Sequence, residues 1–67
     1  MRYFKIVGEK AGPEEPTQIF ETGQLKAEGP VEALDAFSNI IKFSGVRKQV
    51  ESVFAKGGYL VMRENKS

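Results

Sequence analysis

The chain has no cysteine and no histidine. It therefore has no disulfide to staple it, no Cys/His cluster for zinc, no thiolate nucleophile and no imidazole base. It also lacks a long apolar run. Stretches such as Tyr59-Leu60-Val61-Met62 fall far short of the roughly 20 residues that cross a bilayer as a helix. Charge of one sign is missing too. Ten basic and nine acidic residues give a net charge of +1, which excludes a strongly acidic DNA mimic and gives no support to a bulk nucleic-acid binder. The N-terminus, Met1-Arg2-Tyr3-Phe4-Lys5, alternates like a strand and has no signal-peptide apolar stretch. With the absence of cysteine, this makes a cytoplasmic protein with no membrane contact the expectation.

What remains is enough for one small domain, residues 1–67. A domain of this size buries only roughly 60% of the surface that its unfolded chain exposes. Packing, a partner or both must supply its stability.

Arg2 to Gly8 alternates, with Phe4 and Ile6 on one face and Tyr3, Lys5 and Val7 on the other, which predicts a first strand. Residues 9–16, with Gly12-Pro13 and Glu14-Glu15-Pro16, read as a flexible loop. Thr17 to Ala27 reads as a second strand interrupted at Gly23. A β-bulge at Thr22-Gly23 would return Phe20, Leu25 and Ala27 to one face, and a turn at Gly23 is the competing reading. Gly29-Pro30 opens a helix, because proline suits the first helical position. Val31, Leu34, Phe37, Ile40 and Ile41 recur along it at helical spacing, and Ser44-Gly45 is the expected end.

Val46 to Ala55 is ambiguous. Val46, Val50, Val53 and Phe54 fit one face of a helix, but two features favour a strand from about Lys48. Val50, Val53 and Phe54 are β-formers, and Lys56-Gly57-Gly58 then joins two apolar runs as a hairpin turn would. Tyr59 to Glu64 is the last strand, and residues 65–67 read as a frayed tail. The predicted fold is a small two-layer α+β domain in ββαββ order, a mostly antiparallel four-stranded sheet with one helix on one face. Its expected core sets Phe4, Ile6, Phe20, Leu25, Val50, Phe54, Leu60 and Met62 against Leu34, Phe37, Ile40 and Ile41.

One helix can cover one sheet face. The other would carry Tyr3, Lys5, Val7, Ile19, Glu21, Glu51, Val53, Tyr59, Val61 and Arg63. A solvated antiparallel face should be polar, and this one mixes apolar and charged residues. Either β-propensity alone placed Val and Ile there, or the face is covered by a second copy or a partner. The latter makes Tyr3, Lys5, Val7, Ile19, Val53, Tyr59, Val61 and Arg63 candidate partner-binding residues, with Lys5 or Arg63 able to pair with Glu21 or Glu51.

No pattern that carries catalysis is present. Ser38, Ser44 and Ser52 have only lysines as conceivable bases, and Glu14-Glu15 is a Pro-flanked acidic tip. Gly57-Gly58 does not lead into a helix as a phosphate loop must, and EF-hand spacing is absent. No enzyme, metal or cofactor is expected. Arg47-Lys48 would follow the helix end, where its dipole favours cations. A weak nucleic-acid module using Arg47, Lys48, Tyr59 and Arg63 is the alternative function, although no RNP-like signature accompanies it.

The layout resembles small phage and mobile-element proteins, among them some anti-CRISPR proteins and inhibitors of host polymerase. They have a hairpin, a helix like Val31-Glu32-Ala33-Leu34-Asp35-Ala36-Phe37, and a closing hairpin, here Val50 to Arg63. Small archaeal ribosomal proteins are similar in layout but more basic. The resemblance implies a protein that occludes a surface on a larger machine, and it assigns no residue. The expected function is a non-enzymatic protein that binds a protein partner through an open sheet face or edge, as a monomer or homodimer.

Overall fold

β1 (Arg2–Lys10) is apolar on both faces, and both of its edges are paired. The computed structural model describes residues 2–65. β4 (Tyr59–Asn65) runs antiparallel along one edge of β1 in a single unbroken register, from Tyr3 opposite Asn65 to Glu9 opposite Tyr59. β2 (Thr17–Glu21) and β3 (Leu25–Ala27) share the other edge, β2 against Val7–Lys10 and β3 against Arg2–Phe4. α1 (Pro30–Ile40) and α2 (Ser44–Ala55) lie between β3 and β4 in the chain and cover one sheet face. The domain is α+β with a four-stranded antiparallel sheet, but its order is βββααβ rather than ββαββ. The expected tail begins inside β4 at Asn65, and its residues 66–67 lie outside the described residues.

The β2–β3 edge is broken twice. Gly8 pairs with Phe20 but Glu9 pairs with Gln18, so Ile19 is an extra residue in β2. Further on, Ile6 meets Thr22, while Phe4 pairs with Leu25. Gly23 and Gln24 together therefore stand opposite Lys5, and the second irregularity lies beside the expected Thr22-Gly23 position. Thr22 bridges the gap with its side chain. The Ile6 N–H donates to Thr22 Oγ1 at 3.1 Å, and the Thr22 N–H donates back to the Ile6 carbonyl at 3.0 Å. Phe20, Leu25 and Ala27 consequently return to one buried face.

The expected third strand is instead a helix. In α2, Val46, Val50 and Val53 recur at i, i+4 and i+7 against the core, while Arg47, Lys48, Gln49, Glu51 and Ser52 face water. A strand over the same residues would have put polar and apolar groups on both faces. Phe54, expected in the core, is 55% exposed. Lys56-Gly57-Gly58 is the stop of α2, not a hairpin turn. Gly57 has φ +79°, its N–H donates to the Phe54 carbonyl at 3.0 Å, and the Gly58 N–H donates to the Val53 carbonyl at 2.8 Å. These two bonds make a Schellman motif, and a glycine at positive φ serves it as well as it serves a hairpin. α1 begins as expected at Gly29-Pro30, but ends at Ile40, and Gly45 belongs to the first turn of α2.

The core joins both layers: Phe4, Ile6, Phe20, Leu25 and Ala27 from the sheet with Ala33, Phe37 and Val53 from the helices. Val53 is 2% exposed and marks the closest approach. A Cβ on Gly8 would lie 2.6 Å from Val53 Cγ2, and one on Gly58 would lie 2.5 Å from the Glu9 carbonyl oxygen. Both positions require glycine for space.

Two outcomes follow for stability. Gly8→Ala must push α2 away from β1 and is expected to cost about 1–3 kcal/mol in denaturant unfolding. In a Val53→Ala background the added cost is expected to be smaller, since the methyls that Cβ strikes are gone; an unchanged penalty would show that this contact does not set the helix–sheet spacing. Thr22→Val keeps the shape but leaves the Ile6 N–H without its acceptor, at an expected cost of about 1–3 kcal/mol and with faster exchange of the Ile6 amide. Thr22→Ser is expected to retain most of the stability.

Candidate docking edge

The face away from the helices is built by β1, β4 and β2. Tyr3, Lys5, Val7 and Glu9 alternate along β1, Tyr59, Val61 and Arg63 stand opposite on β4, and Glu21 pairs with Val7 from β2. Three other residues expected there are elsewhere. Val53 is on α2, buried in the core on the opposite side of the sheet. Ile19, displaced by its bulge, packs against that same core. Glu51 is exposed on α2.

The remaining members do not form an apolar patch. Val7 is 2% exposed although no helix covers this face. Its neighbours on the face are charged and tied to one another. Lys5 Nζ lies 3.7 Å from Glu21, and Arg63 Nη2 donates to Glu9 Oε2 at 2.7 Å. Arg63 is paired in register with Lys5 but bonds to Glu9, so its side chain runs diagonally past the Val7–Val61 pair. The ion pairs close over the valine, and the long aliphatic stems supply its apolar cover. Lys5 thus pairs with Glu21 as one of the expected options, whereas Arg63 pairs with Glu9.

The nucleic-acid set is divided. Arg47 and Lys48 lie in the first turns of α2, on the helix side, while Tyr59 and Arg63 point from β4 to the other side. Arg2 is also committed. Its Nε and Nη2 donate to the Glu64 carboxylate at 2.7 and 2.6 Å, its guanidinium lies 5.3 Å from the centre of the Phe4 ring, and the bond to Glu64 favours its protonated form further. Among the described residues no group of three or more His, Cys, Asp and Glu side chains is placed to hold a metal ion, and no helix is long and apolar enough to cross a membrane.

The two edges of the sheet differ sharply. The β2–β3 edge consists of strands of five and three residues, carries two bulges and has Lys26 in its last strand. Those are the devices by which proteins blunt an edge against further pairing. β4 has none of them: it is seven residues long, regular, free of proline and lysine, and starts with four consecutive apolar or aromatic residues. Among the described residues it pairs only with β1.

On the helix side, β4 borders an apolar groove of about 360 Å³ whose lining includes Ile6, Pro30, Leu34 and Phe37 and the run Leu60-Val61-Met62 of β4. Leu34 is 53% exposed, and Leu60 and Met62 are half-buried. The sequence places all three in the core. They lie at its margin because α1 packs chiefly on β3 while α2 occupies the centre of the sheet, leaving this side of β4 incompletely covered. The signal for the edge is the run Tyr59-Leu60-Val61-Met62, which lacks the alternation of a half-solvated strand. No protein-family model matches the chain, and no curated protein and no solved structure matches it either.

Proposed function

We propose that the chain is a non-enzymatic binding protein that takes up an extended segment of a protein partner along the free edge of β4. The observation that carries this reading is the contrast between the two sheet edges: one is shortened and bulged, while the other is long and regular and begins with four apolar or aromatic residues beside a groove. Strand addition supplies main-chain hydrogen bonds along the edge and seats every second side chain of the added segment in the adjacent groove. Leu34, Leu60 and Met62 then favour apolar residues at alternate positions of the partner. A segment held in this way would bring the sheet against a larger protein and occlude the surface from which the segment comes, the kind of action that the phage-inhibitor resemblance implies.

Selection from a peptide display library on the immobilised protein tests this. The expected binders carry apolar residues at alternate positions, and their binding slows amide exchange along β4. Leu34→Glu changes a half-exposed side chain and should preserve the fold while weakening those peptides by about tenfold or more. Binders that protect the open-face side chains or α2, or that ignore Leu34→Glu, would overturn the reading.

A further inference from the structure

Resting on β4 as a docking edge, we infer that a second copy of this chain occupies it, β4 against β4, with Val61 on the twofold axis. Two antiparallel edge strands related by a twofold perpendicular to the sheet keep corresponding faces together only if the axis passes through a residue, so few registers exist. An axis through Arg63 would set two Arg63 side chains opposite each other and Met62 opposite Glu64. An axis through Met62 would put Leu60 opposite Glu64 and Val61 opposite Arg63. An axis through Leu60 would leave Met62 opposite Gly58. Only the axis through Val61 matches every pair along the strand. On the helix side, Leu60 of each copy meets Met62 of the other. On the opposite side Val61 meets Val61, and Tyr59 of each copy meets the aliphatic stem of Arg63 of the other, whose guanidinium stays on Glu9. Both members of that last pair have room for it, at 39% residue exposure for Tyr59 and 58% side-chain exposure for Arg63.

The groove supports the same register. Leu60 and Met62 line it in each chain, so pairing them across the seam joins two grooves into one apolar trough between the two α1 helices. Strand pairing alone is a narrow contact, and the exposed Leu34 and its groove neighbours widen it toward the roughly 1,000 Å² that a specific interface needs. The joined sheet would present only the bulged β2–β3 edges at its two ends, so association stops at two copies.

The absence of cysteine makes the register directly testable, because an introduced thiol is the only one. Across the axis, Val61 faces its counterpart with Cα atoms about 4.5–5.5 Å apart, within disulfide reach. Residue 62 is separated from its counterpart by about 8 Å and residue 63 by about 14 Å, both too far. Under mild oxidation Val61→Cys is expected to form a covalent dimer, while Met62→Cys, Arg63→Cys and the surface control Lys26→Cys do not. Light scattering on the wild type should give twice the 7.5 kDa chain mass, falling to the chain mass on dilution and in Val61→Lys. Cross-linking at residue 62 or 63 instead of 61, or equal cross-linking of all four variants, would overturn the register. A wild type that stays monomeric at millimolar concentration would overturn the inference. If selected peptides still bind that monomer through β4, the docking reading stands without self-pairing; if none binds, both fall.

Discussion

The approach of α2 to β1 is the constraint on which the rest of the molecule depends. Val53 reaches the sheet only because Gly8 has no side chain, and the chain can leave α2 toward β4 only because Gly58 has none beside the Glu9 carbonyl. With α2 seated over the middle of the sheet, α1 packs toward β3. Two helices then cover three strand columns unequally, and the uncovered share falls on β4. The groove that borders the docking edge is thus a consequence of how closely one helix sits.

Where local chemistry has one meaning, the sequence was enough to read the structure. Alternation places Phe4 and Ile6 on the helix side of β1, Pro30 starts α1, and the interruption at Gly23 realigns Leu25 and Ala27 with Phe20. Where one signal serves two structures, it was not. Gly57-Gly58 suits a hairpin and a Schellman stop equally, and valines spaced by three and four fit a helix even when each is a β-former. Those two ambiguities reinforced each other, since a strand at 48–55 implies a turn at 56–58. Only packing separates them: a helix lets Val46, Val50 and Val53 face one way and leaves five polar residues to water.

The candidate site was legible in part, for the same reason. Tyr3, Lys5, Val7, Tyr59, Val61 and Arg63 do share the face away from the helices. The sequence could not show that the charges there would bond diagonally and cover Val7, because this depends on the register between β1 and β4. A face that looks mixed in the sequence becomes a set of paired charges around a buried valine, with Val61 and Tyr59 at its β4 margin. The apolar surface lies instead where α1 was expected to cover Leu60 and Met62.

The pairing of β1 with β4 bears on how the chain comes to be folded. Tyr3 and Asn65 are neighbours in the sheet but 62 positions apart in the chain, and every rung of that ladder spans most of the domain. Such non-local contacts slow folding, because the loop must close before any of its bonds form. During synthesis β1 emerges well before its β4 partner. Until residues 59–65 are made, a strand apolar on both faces has one edge with nothing to pair with. That interval is when the protein is most open to aggregation, and a chaperone that holds extended apolar segments would find its substrate at residues 3–7.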